Sequence, residues 1–552
     1  MFEKASNKPF VIMRNKYGWK LYEYHNIKVW FFGYQYDCSI NSLLGNISLL
    51  LQNSCIDKRG VLRWIKGLSG HFSIVVESDS WVVAVVDKIC TNPIFFVRHE
   101  DDIFISNHAD ALKEECNINK NDLDSFAGLE IFMSGFTIGS KTLYRGIKRL
   151  EGGMCLIYHR DTLQKCYYYT YSPWKVRNRD FQQLKSDLTN AFIGTLKSLK
   201  NNANGRQIVI PLSAGNDSRL IASGLKELGA KNVICFSYGR KGNFETLTSE
   251  SIAKRLGYQW LYIPISLKGK RIFFKSDVYH RYVKEFESYG SIPNTQEVYE
   301  ISLLKSNPLI EKNAIIVNGN SGDFISGGHV KVSSTRQLAL DKIDWKDFLD
   351  KHYSLWGGLR CLSNDSYIVS ELEKALSLRN INIKSIDLEK YNYAVMECIE
   401  CIGRQSRIVA NQQRTYEYFG YDWRLPLWSD EMLAFWEGVP YKDKVDQNLY
   451  IKVLQENNFG GVWLDIKVNN KEIRPVFLRW IRTSFKILFI PLGRSRWHKF
   501  EKNVLEYFMH PTYALAPVSY FRILFSLKEY RNISSWLSRK MLISTYYFKN
   551  NK

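Results

Sequence analysis

The chain has 552 residues, 45% of them apolar, and ten cysteines scattered without a paired framework. That length supplies about two or three buried cores, the cysteine pattern fits reduced thiols rather than a disulfide scaffold, and no apolar run approaches the roughly 18 residues of a membrane span. With no signal peptide at its start, a cytoplasmic protein is expected, but the net charge of +21 is uneven: residues 467–552 carry 17 basic and 4 acidic side chains.

In the first third, short apolar runs at 68–76, 82–87, 93–96 and 103–107 alternate with polar turns, which predicts successive β-hairpins. The stretch 143–169 begins Leu-Tyr-Arg-Gly-Ile-Lys-Arg-Leu-Glu-Gly-Gly and is read as the hairpin that closes this region. Further on, the apolar strand Ile208, Val209, Ile210 runs into Pro211, Leu212, Ser213, Ala214, Gly215, Asn216, Asp217 and Ser218, and then into a helix. The small residues Ser213, Ala214 and Gly215 let backbone N–H groups approach an anion, and the helix N-terminus adds partial positive charge. Asp217 supplies a carboxylate for a metal.

A second buried strand is predicted at 233–236, followed by Ser237, Tyr238 and Gly239 and by a helix holding Glu245 and 253–257. A third strand, 314–317, leads into Asn318, Gly319, Asn320, Ser321, Gly322 and Asp323, then Gly327, Gly328 and His329. Strands and helices alternating at this spacing predict a parallel sheet. Ligands of such sheets bind at the carboxyl ends of the strands, and both Gly-containing loops fall there.

The 211–218 loop resembles the Ser-Gly-Gly-X-Asp-Ser pyrophosphate loop of the N-type ATP pyrophosphatases, with Ala214 at the second small position. This group includes asparagine synthetase, the β-lactam synthetases, argininosuccinate synthetase and several tRNA-modifying enzymes. The 318–329 block resembles the Ser-Gly-Glu-Gly-X-Asp-Glu…Gly-Gly-Tyr block of asparagine synthetases. The resemblance implies that residues 211–218, Tyr238, Asn318 and Gly319 bind ATP, and that Asp217 and Asp323 hold Mg²⁺ on its pyrophosphate. Two positions depart from it: Asn320 stands where the family has a Glu near the acyl-adenylate, and Phe324 replaces the acidic residue after the metal Asp. ATP and Mg²⁺ are therefore implied more firmly than aspartate as substrate.

The order of the N-terminal strands resembles the class II glutaminase domain of asparagine synthetases, so the resemblance extends from about residue 60 to about residue 470. That class uses an N-terminal Cys as nucleophile, with its own α-amine as base. This chain begins Met1-Phe2-Glu3, its first cysteine is Cys38, and the Arg-Asp of the glutaminase hairpin reads Asp87-Lys88-Ile89. Residues 1–180 are accordingly expected to keep the fold without glutaminase activity, as the β-lactam synthetases do; a misassigned start codon is the rival explanation.

Residues 404–430 read as a helix ending in Trp423-Arg424-Leu425-Pro426-Leu427-Trp428-Ser429-Asp430, which resembles the Glu-Val-Arg-Val-Pro-Phe-Leu-Asp segment of the synthetase domain. The family also places a catalytic Lys after a helix; Lys467 and Lys471 are the candidates, with Lys467 preferred. Cys398 and Cys401 form a lone C-x-x-C in a helical pattern, and helix packing is favoured over a zinc site. In the tail, 480–490, 500–509 and 520–525 read as amphipathic helices with basic faces. These suit an anionic membrane surface or a packing extension, and suit nucleic acid less.

The expected architecture is an α+β glutaminase-like (Ntn-type) sandwich over 1–180, an α/β ATP pyrophosphatase domain with a parallel sheet over 181–470, and a basic helical extension over 471–552. The resemblance implies an AMP-forming amide ligase that uses ATP and Mg²⁺, with Lys467, Asp217 and Asp323 as catalytic residues. It would adenylate a small or lipid-linked carboxylate, aspartate-like or a sugar acid, and pass the acyl group to ammonia or an amine. Diverged relatives in bacterial surface-polysaccharide pathways are thought to amidate sugar carboxylates, so a peripheral site at the inner membrane face is the alternative location. Asparagine synthesis from free ammonia is disfavoured by Asn320. A non-catalytic ATP-binding or scaffold protein is disfavoured by the presence of Ser213, Gly215, Asp217, Ser218 and Asp323 together.

Overall fold

The computed structural model describes residues 9–544, apart from 25, 36–44, 46, 48–55, 57, 100–101, 240, 287–288, 331–342, 467–476, 506–517 and 526–529. Among the described residues the N-terminal part holds the strands β1 (Pro9–Val11), β2 (Lys20–Tyr24), β3 (Ile27–Gln35), β4 (Gly70–Glu77), β5 (Trp81–Val86), β6 (Phe95–His99), β7 (Asp102–Ser106), β8 (Lys148–Arg149), β9 (Met154–His159) and β10 (Thr162–Tyr167). They pair as a four-stranded sheet, β1-β7-β6-β8, and a six-stranded sheet, β10-β9-β5-β4-β3-β2. The alternation of side chains along a strand decides what each face covers. Val82, Ala84 and Val86 of β5 pack with Phe96, Ile103 and Ile105 of the smaller sheet, whereas Val83 and Val85 face Val61, Trp64 and Ile65 of helix Lys58–Lys66. Both faces of β5 are buried, which is why it reads as a continuous apolar run. The four predicted strands correspond to β4–β7, and the closing hairpin to β8–β10.

A 23-residue helix, Phe181–Ala203, leads into the second part, its N-terminus capped by Asp180 and Gln183 in a reciprocal box. There β11 (Ile208–Pro211), β12 (Val233–Gly239), β13 (Gln259–Pro264), β14 (Ile315–Val317) and β15 (Asp422–Arg424) form a parallel sheet in the order β13-β12-β11-β14-β15. Helices Asn216–Glu227 and Phe244–Leu256 connect the first three strands. The chain steps outward from β11 to β13 and then returns to the other side of β11 for β14. Strand order therefore reverses between β11 and β14, and both predicted loops leave from these two strands.

The expectation of one helix over 404–430 is corrected. A π-helical stretch, Cys401–Val409, continues helix Leu388–Glu400, and a short 3₁₀ turn and helix Arg414–Tyr418 follow. Gly420, at φ +79°, then turns the chain out of the helix. Asp422–Arg424 adds to the sheet as β15, with Asp422 paired to Arg206 at 2.7 Å. Cys398 and Cys401 are both buried in helix packing, as expected. The tail supplies helices Phe477–Leu488, Arg494–Phe500, Tyr520–Leu524 and Ile533–Ser544. Among the described residues, no helix is long and apolar enough to cross a membrane.

Candidate functional site

The loop after β11 is held from within. The Ser213 N–H donates to Ser218 Oγ at 3.0 Å, the two serine hydroxyls are 3.0 Å apart, and the Gly215 N–H donates to Ser213 Oγ at 3.1 Å. Helix Asn216–Glu227 begins immediately after Gly215 and has no side-chain cap at that position, the arrangement that anion-binding helix N-termini share. Arg219 is fully buried and braces the loop from behind: Nη2 donates to the Ala214 carbonyl at 2.9 Å, and Nη1 donates to the Ile466 carbonyl at 3.0 Å. One guanidinium thus joins the loop to the residue just before Lys467. Lys467 and Lys471 themselves lie outside the described residues.

The loop after β14 meets the first one directly. The Asp323 N–H donates to Asp217 Oδ2 at 2.9 Å, and the Tyr450 hydroxyl donates to Asp217 Oδ1 at 2.8 Å. The approach depends on two glycines. A Cβ on Gly319 would stand 2.9 Å from the Asp217 carbonyl carbon, and one on Gly322 would stand 2.3 Å from Asp217 Cγ. Burial, and after it the Asp323 carboxylate, pushes Asp217 up to about 7. Burial would raise Asp323 too, but a hydrogen bond from His329 holds it below its ordinary value.

His329 lies between two acids. Its Nδ1 is 2.7 Å from Glu400 Oε1 and its Nε2 is 3.5 Å from Asp323 Oδ2. Burial opposes its charge, but the two carboxylates raise it to about 9. Burial likewise opposes ionisation of Glu400, which His329 and His352 nevertheless hold at about 2. A recess bounded by His329, Asp347, Lys351, His352, Tyr393 and Glu400 opens beside this group. Ser321 sits in the left-handed region at φ +66°, and its hydroxyl donates to Gln405 Oε1 at 2.6 Å. The loop is in this way anchored to the π-helical stretch, a form that recurs at functional sites.

The remaining predicted site residues line these strand ends. Tyr238, one residue before the end of β12, donates its hydroxyl to Glu297 at 3.0 Å, and Asn318 Nδ2 donates to the Tyr416 hydroxyl at 2.7 Å. Asn320 Nδ2 donates to Gln412 Oε1 at 2.8 Å, and Phe324 is fully buried, stacked on Trp428 at 5.9 Å. Tyr450 and Glu400 carry no signal in the sequence around the two loops, and no role is expected there for Arg219. Arg219 alone left a local signal, as the residue directly after Ser218.

In the N-terminal sandwich, Asp87 is consumed by its own turn. It accepts N–H groups from Phe72, Ile89 and Thr91 at 3.2, 2.9 and 3.2 Å and the Thr91 hydroxyl as well. Lys88 pairs with Asp430 at 2.7 Å, which ties the sandwich to the segment after β15.

A family model described as a glutamine amidotransferase domain matches residues 50–169, so the sandwich is similar to the Ntn-type domains of amidotransferase enzymes. Two solved structures show similarity over part of the chain. One is a glutamine phosphoribosylpyrophosphate amidotransferase from B. subtilis complexed with ADP and GMP, at 12% identity, covering 47% of this chain and 76% of that one, with a TM-score of 0.18. The other is described as the allosteric regulatory enzyme of purine biosynthesis, at 10% identity, 45% and 72% coverage, and a TM-score of 0.18. No curated protein matches this chain.

Proposed function

We propose that the protein is an ATP-dependent, AMP-forming amide ligase of the asparagine synthetase type, with a glutaminase-like sandwich over 1–180, an ATP pyrophosphatase domain over 181–470 and a basic extension over 471–552. The observation that carries this reading is the convergence of Asp217 and Asp323 at the strand-order reversal, above a loop of small residues at a helix N-terminus. Two adjoining carboxylates, one of them raised to about 7, fit a hard divalent cation. Mg²⁺ bound there would neutralise charge on the pyrophosphate leaving group. The 213–218 loop and the helix N-terminus bind the β- and γ-phosphates, and the end of β12 at Tyr238 borders the adenine. The substrate carboxylate attacks the α-phosphorus, giving an acyl-adenylate and pyrophosphate. Ammonia or an amine then attacks the acyl carbon, AMP departs, and the nitrogen gives up a proton. Lys467 is preferred to Lys471 for stabilising the charged transition state, because its neighbour Ile466 is bonded to the same Arg219 that braces the loop.

The nitrogen source in this reading is free ammonia or an amine. The similarity of residues 50–169 to glutamine amidotransferase domains favours glutamine, whereas Asp87 and Lys88 are taken up in a turn and an ion pair. The test is pyrophosphate release from ATP and Mg²⁺ by the purified protein. Aspartate and uronic acids are screened as acids, with ammonia, glutamine and amino acids as nitrogen sources. Release that depends on one acid supports the ligase; glutamine working as well as ammonia would show an active glutaminase; neither release nor ATP binding would reject the reading.

A lipid-linked acid is favoured by the tail. Helices Phe477–Leu488 and Arg494–Phe500 are joined by the turn Ile490–Leu492 and clasped by Phe485, Phe489, Trp497 and Phe500, with ring centroids 4.8–6.1 Å apart. Outside this clasp Trp480, Ile487, Leu488 and Ile490 are exposed, interspersed with the cations Arg479 and Lys486. Apolar side chains among cations match an anionic lipid surface; phosphate-backbone binding would leave the apolar ones without a role.

A further inference from the structure

Arg149 and Arg407 are buried together beside a third arginine, Arg379, and among the described residues the carboxylate that acts on Arg407 is that of Glu151. Arg149 ends β8 with no exposed surface, and Arg407, in the π-helical stretch, is 2% exposed. Both border Gly290, where an added Cβ would lie 3.5 Å from Arg149 Cδ and 3.5 Å from Arg407 Nη1. Arg149 Nη2 donates to Cys90 Sγ at 3.3 Å and its Nε to the Leu150 carbonyl at 3.4 Å. Among the described residues its Nη1 has no hydrogen-bond partner, and neither Nη1 nor Nη2 of Arg407 has one.

The neighbouring acids are already engaged. Glu151 accepts from Arg379 Nη2 at 2.9 Å, Ser140 at 2.8 Å and Tyr167 at 2.7 Å, so its single charge is shared between Arg379, which it bonds, and Arg407, which it does not. Asp87 closes its own turn. Burial pushes the Cys90 thiol up, so Cys90 supplies no negative charge. Cys90 also holds φ +53°, a left-handed conformation uncommon outside Gly, Asn and Asp. Burial, and after it the charge of Arg149, lowers Arg407 to about 9.

A water molecule satisfies an N–H group but not a charge, and buried cations that outnumber the acids beside them call for a further counter-charge. Guanidinium forks match the geometry of oxyanions. We propose that Arg149 and Arg407 hold a small oxyanion of the phosphate or carboxylate class, which ties the N-terminal sandwich to the π-helical stretch. This site is separate from the ATP loop and does not depend on the ligase reading. Because both guanidinium groups are buried, an anion held by them is expected to survive dialysis, and phosphates at the part-exposed loop are not.

The test uses the full chain, dialysed into a buffer free of phosphate, sulfate and organic acids, then denatured so that released anions can be measured by ion chromatography. One equivalent of phosphate or of a single carboxylate is expected from the wild type, which also tells the two sources apart. Less than a tenth of that is expected from Arg407→Met. Arg149→Met gives the same comparison should the first variant fail to fold, and the wild-type release decides on its own should both fail. Release of no oxyanion, of chloride only, or of equal amounts from wild type and variants would overturn the proposal.

Discussion

The backbone N–H of Asp323 donates to the carboxylate of Asp217 across 106 residues of chain, at 2.9 Å. Each loop therefore sets the position of the other's acid, and the pair sits where strand order reverses in the parallel sheet. Asp217→Asn keeps one oxygen to accept the Asp323 N–H, turns its Nδ2 to donate to the Tyr450 hydroxyl oxygen, and removes the charge. Pyrophosphate release is expected to fall by at least about 100-fold, with the melting temperature little changed. A coupled pyrophosphate assay beside a melting curve checks both, and unchanged biological activity in this variant would favour a scaffold.

Gly322 tests the same contact sterically. A Cβ there would stand 2.3 Å from Asp217 Cγ and 2.5 Å from Leu427 Cδ1, so the loops must separate. Gly322→Ala should cost about 1–3 kcal/mol of stability and weaken ATP binding. Gly358→Ala, with nothing within 4 Å of its added Cβ, should change stability by less than about 0.5 kcal/mol. Urea denaturation and ATP titration of the two variants make the comparison, and equal behaviour would remove the argument from close approach.

Both loops were legible because an apolar strand, a turn of small residues and a helix start leave a local signature, and Asp217 and Asp323 lie within it. β15 was not legible. Its three residues take strand character from pairing with β14, more than a hundred residues earlier in the chain, and the helix before it ends only at Gly420. Tyr450 and Glu400 reach the site through tertiary packing, which no nearby residue announces. Phe324, read as a loss of acidity, is a core residue stacked on Trp428. The sandwich was readable because burial on both faces makes β5 uniformly apolar, while the buried arginines around Cys90 come from segments far apart in sequence.

His71 predicts acid sensitivity where the sandwich meets the parallel sheet. Its Nδ1 is 2.6 Å from the Tyr34 hydroxyl, which also accepts the Leu425 N–H at 3.3 Å, and its ring lies 5.9 Å from that of Trp423. Burial, opposed by Asp430, lowers it to about 4 from the ordinary 6.5. A folded-state value below the unfolded one means that this contribution is complete above pH 6.5 and is lost as pH falls towards 4. The loss is on the order of 3 kcal/mol over that window. Urea denaturation at pH 7 and pH 4.5 should show His71→Gln losing less stability than the wild type, and equal losses would assign the acid sensitivity to other groups.

The tail makes a prediction that separates lipid from nucleic acid. If the hairpin tip enters a bilayer surface, its affinity rests on both the cations and Ile487, Leu488 and Ile490, which are 60, 65 and 72% exposed. Burying even part of three such side chains contributes more than about 1.4 kcal/mol, a tenfold change in binding. Replacing all three with Ser should therefore weaken co-sedimentation with vesicles of anionic phospholipid by at least tenfold, while added salt weakens both proteins. Neutral vesicles should retain less of the wild type, because the cations then have no counterpart. Nucleic-acid binding would behave differently, falling with salt but unaffected by the Ser substitutions. Failure of the wild type to sediment with anionic vesicles would leave the exposed apolar tip to a protein partner and remove the case for a lipid-linked acid.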